Sequence, residues 1–242
     1  MATRIQLCGC LVATVAGRNI EEDLPGRLGR LLFAYLVLHR LRPAPRNQLL
    51  TALWPETLPS APEASVNALL SRLRRLAPLE GRAEVWLDLE PGAFVDLEAA
   101  SEAIHRAEAA VRRCAWVDAW APARVALHTA NRGFFPGEDF PWVDEQQRRL
   151  ENLRIRAHEC IAQTGLGLGG PELDATLRSA RALIALAPFH ESGHRLLMQA
   201  LEQQGNVADA LAVYEQLRMT LRDELGVAPS LATQQLYRAL LG

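Results

Sequence analysis

The sequence predicts an α+β domain at the N-terminus, followed by an all-α domain built from helical repeats. Short β-branched and apolar segments open the chain and return near residue 84, with helical periodicity between them. From residue 97 onward, apolar residues follow a helical period to the end of the chain. A length of 242 residues is comfortable for two such domains, and we place them at residues 1–97 and 98–242.

Composition argues against membrane and metal-dependent classes. The longest uncharged apolar run, Leu31–Leu38, is far shorter than the roughly 20 residues that cross a bilayer, and the N-terminus lacks a signal-peptide core. Four cysteines are few for this length, and Cys8 and Cys10 have no matching downstream pair, which favours buried reduced thiols over a zinc ribbon. We expect a cytoplasmic protein without membrane contact, cofactor or metal.

The first elements follow from periodicity and from turn residues. Residues 4–24 combine β-branched segments with turns, which predicts a small sheet. From Leu28, apolar residues recur at i, i+3, i+4, i+7 and i+8, which predicts a helix that the Arg42–Pro45 segment ends. A second, shorter helix is predicted over residues 46–54, before the prolines at 55 and 59.

The third helix carries the most information about function. Ser60 and Glu63 have the spacing of a capping box, so we expect the helix to run from Ala61 to Leu76. Its leucines and Val66 form a buried stripe at helical spacing. At about 100° per residue, the opposite side begins small and polar and ends basic. That side carries Ala64, Asn67, Ala68, Ser71 and Arg75, flanked by Arg72 and Arg74.

A β-hairpin is predicted after the third helix. Residues 84–89 and 93–97 are strand-like and flank the turn signal Glu90–Gly92. Three helices and then a hairpin is the order of a winged helix-turn-helix, in which the last helix lies in the major groove of DNA and the hairpin forms the wing. The pattern is equally compatible with a solvated amphipathic helix beside an unrelated hairpin.

Charge distribution favours the DNA-binding interpretation. The formal net charge is −2, which by itself argues against a nucleic-acid partner. Between Arg27 and Arg75, however, eight arginines face two glutamates, a local charge of +6. The average therefore conceals a basic segment that coincides with the predicted helix-turn-helix.

The second half of the chain is predicted to be a tetratricopeptide-like array. The segment from His194 to Tyr214 matches the 34-residue template at its first aromatic, small and second aromatic positions, and Pro188 lies where the preceding repeat would close. The preceding copy is degenerate, with Gly167 at an aromatic position. Such arrays use their concave surface for partners. The predicted helices cover residues 97–114, 117–131, 143–164, 173–186, 191–204, 207–225 and 230–240, and the GLGLGG run at 165–170 is interpreted as a flexible connection.

These segments together resemble the SARP family, the bacterial activators of antibiotic-biosynthesis genes that join an OmpR-type winged helix to a bacterial transcriptional activator domain. The resemblance covers nearly the whole chain, and its C-terminal part is the most specific. The matching segments are Leu7–Val12, Asn47–Trp54, Val66–Leu76, Leu197–Leu201, Gly205–Tyr214, Leu217–Arg218 and Leu221–Ser230 (LRDELGVAPS).

The resemblance implies a transcriptional activator that binds tandem promoter repeats as a homodimer and contacts RNA polymerase and its sigma factor. It places the recognition positions at Asn67, Ser71, Arg72, Arg74 and Arg75. We assign Arg75, central on the open face, to a base edge, and Arg72 and Arg74 to phosphates. Arg42 and Arg46, near the entry to the second helix, are further phosphate candidates.

The predicted wing departs from the family pattern. Family wings usually contain Gly-Tyr-Arg-Leu, whereas Gly92–Val95 here is Gly-Ala-Phe-Val between acidic residues. An acidic wing without arginine is a poor probe of the minor groove. This favours the alternative of an interaction scaffold whose winged helix does not bind DNA, which salt-dependent binding of a promoter fragment would distinguish.

A remote alternative is a zinc peptidase. His190, Glu191 and His194 satisfy HExxH, in which two histidines one helical turn apart bind zinc and the glutamate activates water. Against it, Pro188 puts His190 at the very start of its helix, and His194 already occupies a packing position of the repeat template. We therefore expect no catalytic site.

Overall fold

The chain divides into two structural units, and neither unit is continuous in sequence. The computed structural model describes residues 2–242. One unit contains the residues up to Ala99 together with Arg132–Leu150, and the other contains Ala100–Asn131 together with Glu151–Gly242. A segment from the middle of the sequence therefore packs with the N-terminal elements.

The first unit contains a four-stranded sheet whose strands come from residues 4–19 and from residues 94–95. Strand β1 (Arg4–Gln6) pairs antiparallel with β2 (Val12–Val15) and parallel with β7 (Phe94–Val95), while β3 (Arg18–Asn19) pairs antiparallel with β2 at the edge. The alternation of side chains buries Ile5 and its cross-strand partners on one face. The predicted small N-terminal sheet therefore includes a strand from beyond residue 90.

Three helices follow β3 in the chain. They are α1 (Gly26–Leu38), α2 (Arg46–Leu53) and α3 (Pro62–Leu73), and α1 packs against the other two. Every residue from Leu31 to Val37 is buried, so α1 is the central helix of this group. The continuous apolar run of the sequence is thus explained by burial on all sides.

The ends of α3 differ from the prediction. Ala61, not Ser60, occupies the N-cap position before Pro62, and no side-chain cap hydrogen bond forms, because alanine has no side-chain acceptor. The helix ends at Leu73, and the backbone then tightens, with Arg75 N bonded to Arg72 O at 3.1 Å. Arg75 consequently lies beyond the helix rather than at the centre of its open face.

The predicted hairpin of residues 84–89 and 93–97 is wrong. Strand β6 (Glu84–Leu87) pairs antiparallel with β5 (Leu79–Glu80) on one side and with β4 (Ala44–Pro45) on the other. The chain after β6 instead crosses to the first sheet. There the carboxylate of Glu90 accepts hydrogen bonds from the backbone and hydroxyl of Thr3, at 2.6 and 2.8 Å, and these bonds lower its pKa.

The segment Arg132–Leu150 completes the first unit. Cys8 forms an antiparallel bridge with the fully buried Phe134. The buried carboxylate of Asp96 accepts bonds from the backbone of Leu7 (2.9 Å) and Cys8 (3.0 Å), and Arg132 donates to it at 3.1 Å. Asp96 thus satisfies two backbone donors just after the end of β1, while Arg132 compensates its charge.

The second unit is helical. Helix α7 packs on α8, α8 packs on α9, and α10 contacts both α8 and α9, which fits a helical-repeat domain. Its core contains Met198, Ala200 and Ala210, all fully buried, beside Tyr214. Helices α7 and α9 have the predicted bounds. The remaining helices of the chain in order are α4 (Asp96–Arg112), α5 (Trp116–Asn131), α6 (Pro141–Leu168), α7 (Leu173–Leu186), α8 (Glu191–Gln203), α9 (Val207–Leu225) and α10 (Leu231–Leu241). Of these, α4 and α6 begin in residues of the first unit, at Asp96 and Pro141, and the others belong wholly to the second.

The glycine-rich run is not a flexible connection over its first part, since α6 continues to Leu168. A Cβ added at Gly167 would lie 2.3 Å from the indole of Trp116, and one at Gly165 would lie 2.5 Å from the hydroxyl of Thr176. Both glycines therefore allow close helix packing. Within residues 2–242, no helix is both long and apolar enough to cross a membrane.

Candidate nucleic-acid interface

Helix α3 has one buried face and one exposed face. Val66, Leu70 and Leu73 have no exposed surface, because they pack into the core that α1 provides. Asn67 and Arg72, on other sides of the helix, are exposed. The spacing of apolar residues therefore sets which side chains α3 presents outward.

Arg46, the first residue of α2, connects three elements. Its guanidinium donates from Nε to the carbonyl of Arg82 at 2.5 Å and from Nη1 to Oδ1 of Asn67. The carboxylate of Glu63 lies 3.9 Å from Nη1. The amide oxygen of Asn67 is thereby engaged as an acceptor, which leaves its amide NH₂ to donate outward.

Arg74, at the end of α3, binds the turn of the β5–β6 hairpin, which Arg46 also binds. Arg74 donates from Nη2 to the carbonyl of Gly81 at 2.6 Å. Gly81 and Arg82 form the turn between β5 and β6, so Arg46 and Arg74 bind successive carbonyls of one turn. These two bonds fix the turn beside α3.

Gly81 is the residue that makes this turn possible. Its φ of +82° lies in the left-handed region, and a Cβ there would lie 2.0 Å from the carbonyl oxygen of Glu84. No side chain fits without moving the turn. Arg82, the next residue, is exposed at the tip of the turn, between exposed Glu80 and Glu84.

The predicted site residues divide into two groups. Arg46, Asn67 and Arg74 are hydrogen-bonded to other parts of the same unit. The others are exposed, and within residues 2–242 they form no side-chain ion pair or hydrogen bond. This second group is Arg42, Ser71, Arg72 and Arg75.

Arg82 is a candidate site residue that the sequence patterns did not indicate. The sequence pattern predicts the hairpin at residues 84–97, which excludes the arginine at the true turn. The available signal was Gly81-Arg82 between Leu79–Glu80 and Glu84–Leu87, a glycine turn flanked by strand-forming residues. The hairpin beside α3 therefore carries an exposed arginine and is not the purely acidic wing that the sequence predicted.

The HExxH residues have other roles in the structure. The carboxylate of Glu191 accepts bonds from the backbone and hydroxyl of Ser230, at 2.9 and 2.7 Å, and from the hydroxyl of Thr233, at the start of α10. Burial opposes ionisation of Glu191, but these bonds hold its pKa below the ordinary value. His194 is 5% exposed, and burial lowers its pKa, while His190 is exposed at the N-cap of α8. Within residues 2–242, no three His, Cys, Asp or Glu side chains cluster as a metal site.

Comparison with known proteins links the chain to transcriptional regulators. Residues 95–241 match the model of the bacterial transcriptional activator domain. The chain is 33% identical over 252 residues to the regulatory protein AfsR of Streptomyces coelicolor, spanning 99% of this chain and 24% of AfsR. It is 28% identical to the regulatory protein DnrI of Streptomyces peucetius, spanning 98% of this chain and 92% of DnrI.

A solved structure has a similar fold. The structure of Mycobacterium tuberculosis EmbR in complex with a low affinity phosphopeptide superposes with a TM-score of 0.86 at 24% identity. The match covers 99% of this chain and 65% of the EmbR chain. This chain therefore spans about a quarter of AfsR and about two thirds of EmbR, while its fold is shared over nearly its full length.

Proposed function

The chain belongs to the bacterial transcriptional activator domain family, and from this premise we propose that it activates transcription by binding double-stranded promoter DNA through α3. The family match covers more than half of the chain, and the similar proteins are regulatory proteins, which confirms the resemblance to SARP-type activators. The recognition of DNA and the identity of the partners are what we propose here.

The exposed face of α3 beside a fixed hairpin turn is the observation that carries the proposal. A helix that buries its leucines and presents Asn67, Ser71 and Arg72 outward has the form that enters the major groove. The turn at Gly81–Arg82, held against this helix, has the position of a wing. We therefore interpret the N-terminal elements as a winged helix.

The residue roles follow from the end of α3 at Leu73. Asn67, Ser71 and Arg72 lie within the helix and are assigned to base edges, since an arginine forks onto guanine and the amide NH₂ of Asn67, whose oxygen already accepts from Arg46, can donate to a base acceptor. Arg75 lies past the helix and is assigned, with Arg42, to phosphates, which exchanges the roles of Arg72 and Arg75 predicted from helical periodicity.

Arg46 and Arg74 have a supporting role in this proposal. Their guanidiniums already donate to the hairpin turn, and both retain further N–H donors that can face a phosphate. Arg82 at the tip of the turn is the proposed minor-groove contact.

The remaining partners come from the family resemblance. We propose that the winged helix of residues 1–97 binds DNA, that the helical repeats of 98–242 contact RNA polymerase and its sigma factor, and that the protein binds tandem repeats as a homodimer. Residues 132–150 pack with the N-terminal elements, so they support the DNA-binding unit. As a transcriptional regulator, the protein would act on the nucleoid in the cytoplasm and would need no cofactor.

The test compares sequence-selective and general DNA binding. A duplex selected from random DNA and a scrambled duplex are titrated by fluorescence anisotropy at several salt concentrations. Arg72→Ala is expected to weaken the selected duplex by about 1–3 kcal/mol and to leave the scrambled one nearly unchanged. Arg75→Ala is expected to weaken both equally and to reduce the salt slope by about 1.

Arg181→Ala is the matched control, because Arg181 is an exposed arginine on α7. Its loss should change neither affinity nor salt slope. Absence of salt-dependent binding to any duplex would refute DNA recognition and leave the interaction scaffold. Equal losses for Arg72→Ala and Arg75→Ala on both duplexes would refute the division of roles.

A further inference from the structure

A polar groove in the second unit lies between α5 and α7. Trp120, Arg124, His128 and Asn131 recur at helical spacing and form one stripe of α5, and Arg178 on α7 also lines the groove. The cavity has a volume of about 450 Å³, within the range of about 300–1,000 Å³ typical of sites for small molecules.

The groove has an excess of positive charge. Arg124 and Arg178 are both exposed, and neither forms an ion pair with a carboxylate in the described part of the chain. No aspartate or glutamate is among the lining residues. Two guanidiniums on facing helices, without a counter-charge in the cavity, attract an anion and offer forked donors to it.

The groove also has features that suit an organic body. Trp120 is half-buried in its lining, and Leu127 and Ile161 supply apolar surface. Ser179, only 6% exposed, adds a hydroxyl beside Arg178. An anionic head near the arginines and a planar body against the indole would use both kinds of surface.

We propose that the groove between α5 and α7 is a binding site for a small organic anion, a phosphate or carboxylate attached to a planar apolar group. The site lies in the second unit and does not depend on the proposed DNA contacts. A bound anion would bridge α5 and α7, so binding stabilises the helices that it joins.

The experiment is titration calorimetry on the full chain with four probes. Phenyl phosphate and benzoate carry the two anionic heads on a planar body, inorganic phosphate lacks the body, and benzyl alcohol lacks the charge. We expect phenyl phosphate or benzoate to bind more tightly than either of the other two. Arg124→Ala and Arg178→Ala should each weaken that binding on the order of tenfold.

Arg181→Ala, on the same helix as Arg178, is the control that removes an equal charge outside the groove. Circular dichroism and Tm without ligand confirm that each variant is folded. The proposal would be overturned if Arg181→Ala weakened binding as much as Arg124→Ala or Arg178→Ala. It would also be overturned if inorganic phosphate bound as tightly as phenyl phosphate and benzoate, or if benzyl alcohol bound more tightly than they do. Binding of an acidic peptide in place of all four probes would also overturn it and make the groove a protein contact.

Discussion

Replacing Gly81 by alanine tests the structure of the hairpin turn directly. The φ of +82° is disfavoured for any residue with a Cβ, and the added Cβ would lie 2.0 Å from the carbonyl oxygen of Glu84 and 2.6 Å from the ring of Trp86. Glu84 begins β6, which is paired with β4 on one side and β5 on the other, so the backbone at Glu84 has little freedom to move away. The turn must therefore open.

The magnitude follows from two contributions. The left-handed conformation costs alanine about 1–2 kcal/mol. Opening the turn removes the bond from Arg74 to the carbonyl of Gly81, which contributes about 1 kcal/mol. We expect Gly81→Ala to lower the free energy of unfolding by about 2–3 kcal/mol, measured by urea denaturation.

Gly92→Ala is the control, because Gly92 lies in the turn that the sequence suggested for the hairpin and a Cβ there meets nothing within 4 Å. Its effect on stability should stay within about 0.5 kcal/mol. If the turn at Gly81 is the wing, Gly81→Ala also weakens DNA binding and Gly92→Ala does not. A stable Gly81→Ala protein with unchanged DNA affinity, or a larger loss from Gly92→Ala, would refute this account.

Two further predictions concern the second unit. Glu191, on α8, accepts the hydrogen bonds at the start of α10, so Glu191→Ala should lower the free energy of unfolding by about 1–3 kcal/mol with loss of helical circular dichroism. Glu202→Ala, at an exposed position of α8, should leave both quantities unchanged. Burial lowers the pKa of both His158 and His194, and the charge of Arg154 lowers that of His158 further. As the pH falls below about 6.5, these histidines are therefore protonated in the unfolded chain before they are protonated in the folded one, which favours unfolding. Tm should therefore decline from about pH 7.5 to 5.5. His158→Gln should reduce the decline, and a constant Tm would contradict the assigned burial of these histidines.

Local patterns in the sequence predicted the helices well. Helices α7 and α9 begin and end where predicted, because their apolar period and the flanking turn residues agree. The buried stripe of α3 was also predicted, since Val66, Leu70 and Leu73 are at helical spacing. The exposed face of the candidate site could thus be named from the sequence.

Long-range pairing could not be predicted in the same way. The pairing of β7 with β1 and of β6 with β4 joins residues far apart in sequence, whereas the hairpin of β5 and β6 is local and its glycine turn is visible in the sequence. The true helix end at Leu73, which changes the proposed role of Arg75, depends on the packing of the following turn. The glycines of α6 suggest a loop because the side chains that require them, Trp116 at Gly167 and Thr176 at Gly165, belong to other helices.

The bridge between Cys8 and Phe134 has a consequence for how the protein is made. A ribosome adding about 5–20 residues per second needs roughly 6–25 s to proceed from one partner to the other. During that interval the buried backbone of Leu7 and Cys8 lacks the Arg132-compensated carboxylate network of the finished fold. The N-terminal unit is therefore completed only after α5 has been synthesised, and a nascent chain released before residue 132 would leave the backbone of Cys8 and Gly9 without the partners that Phe134 and Gly133 provide.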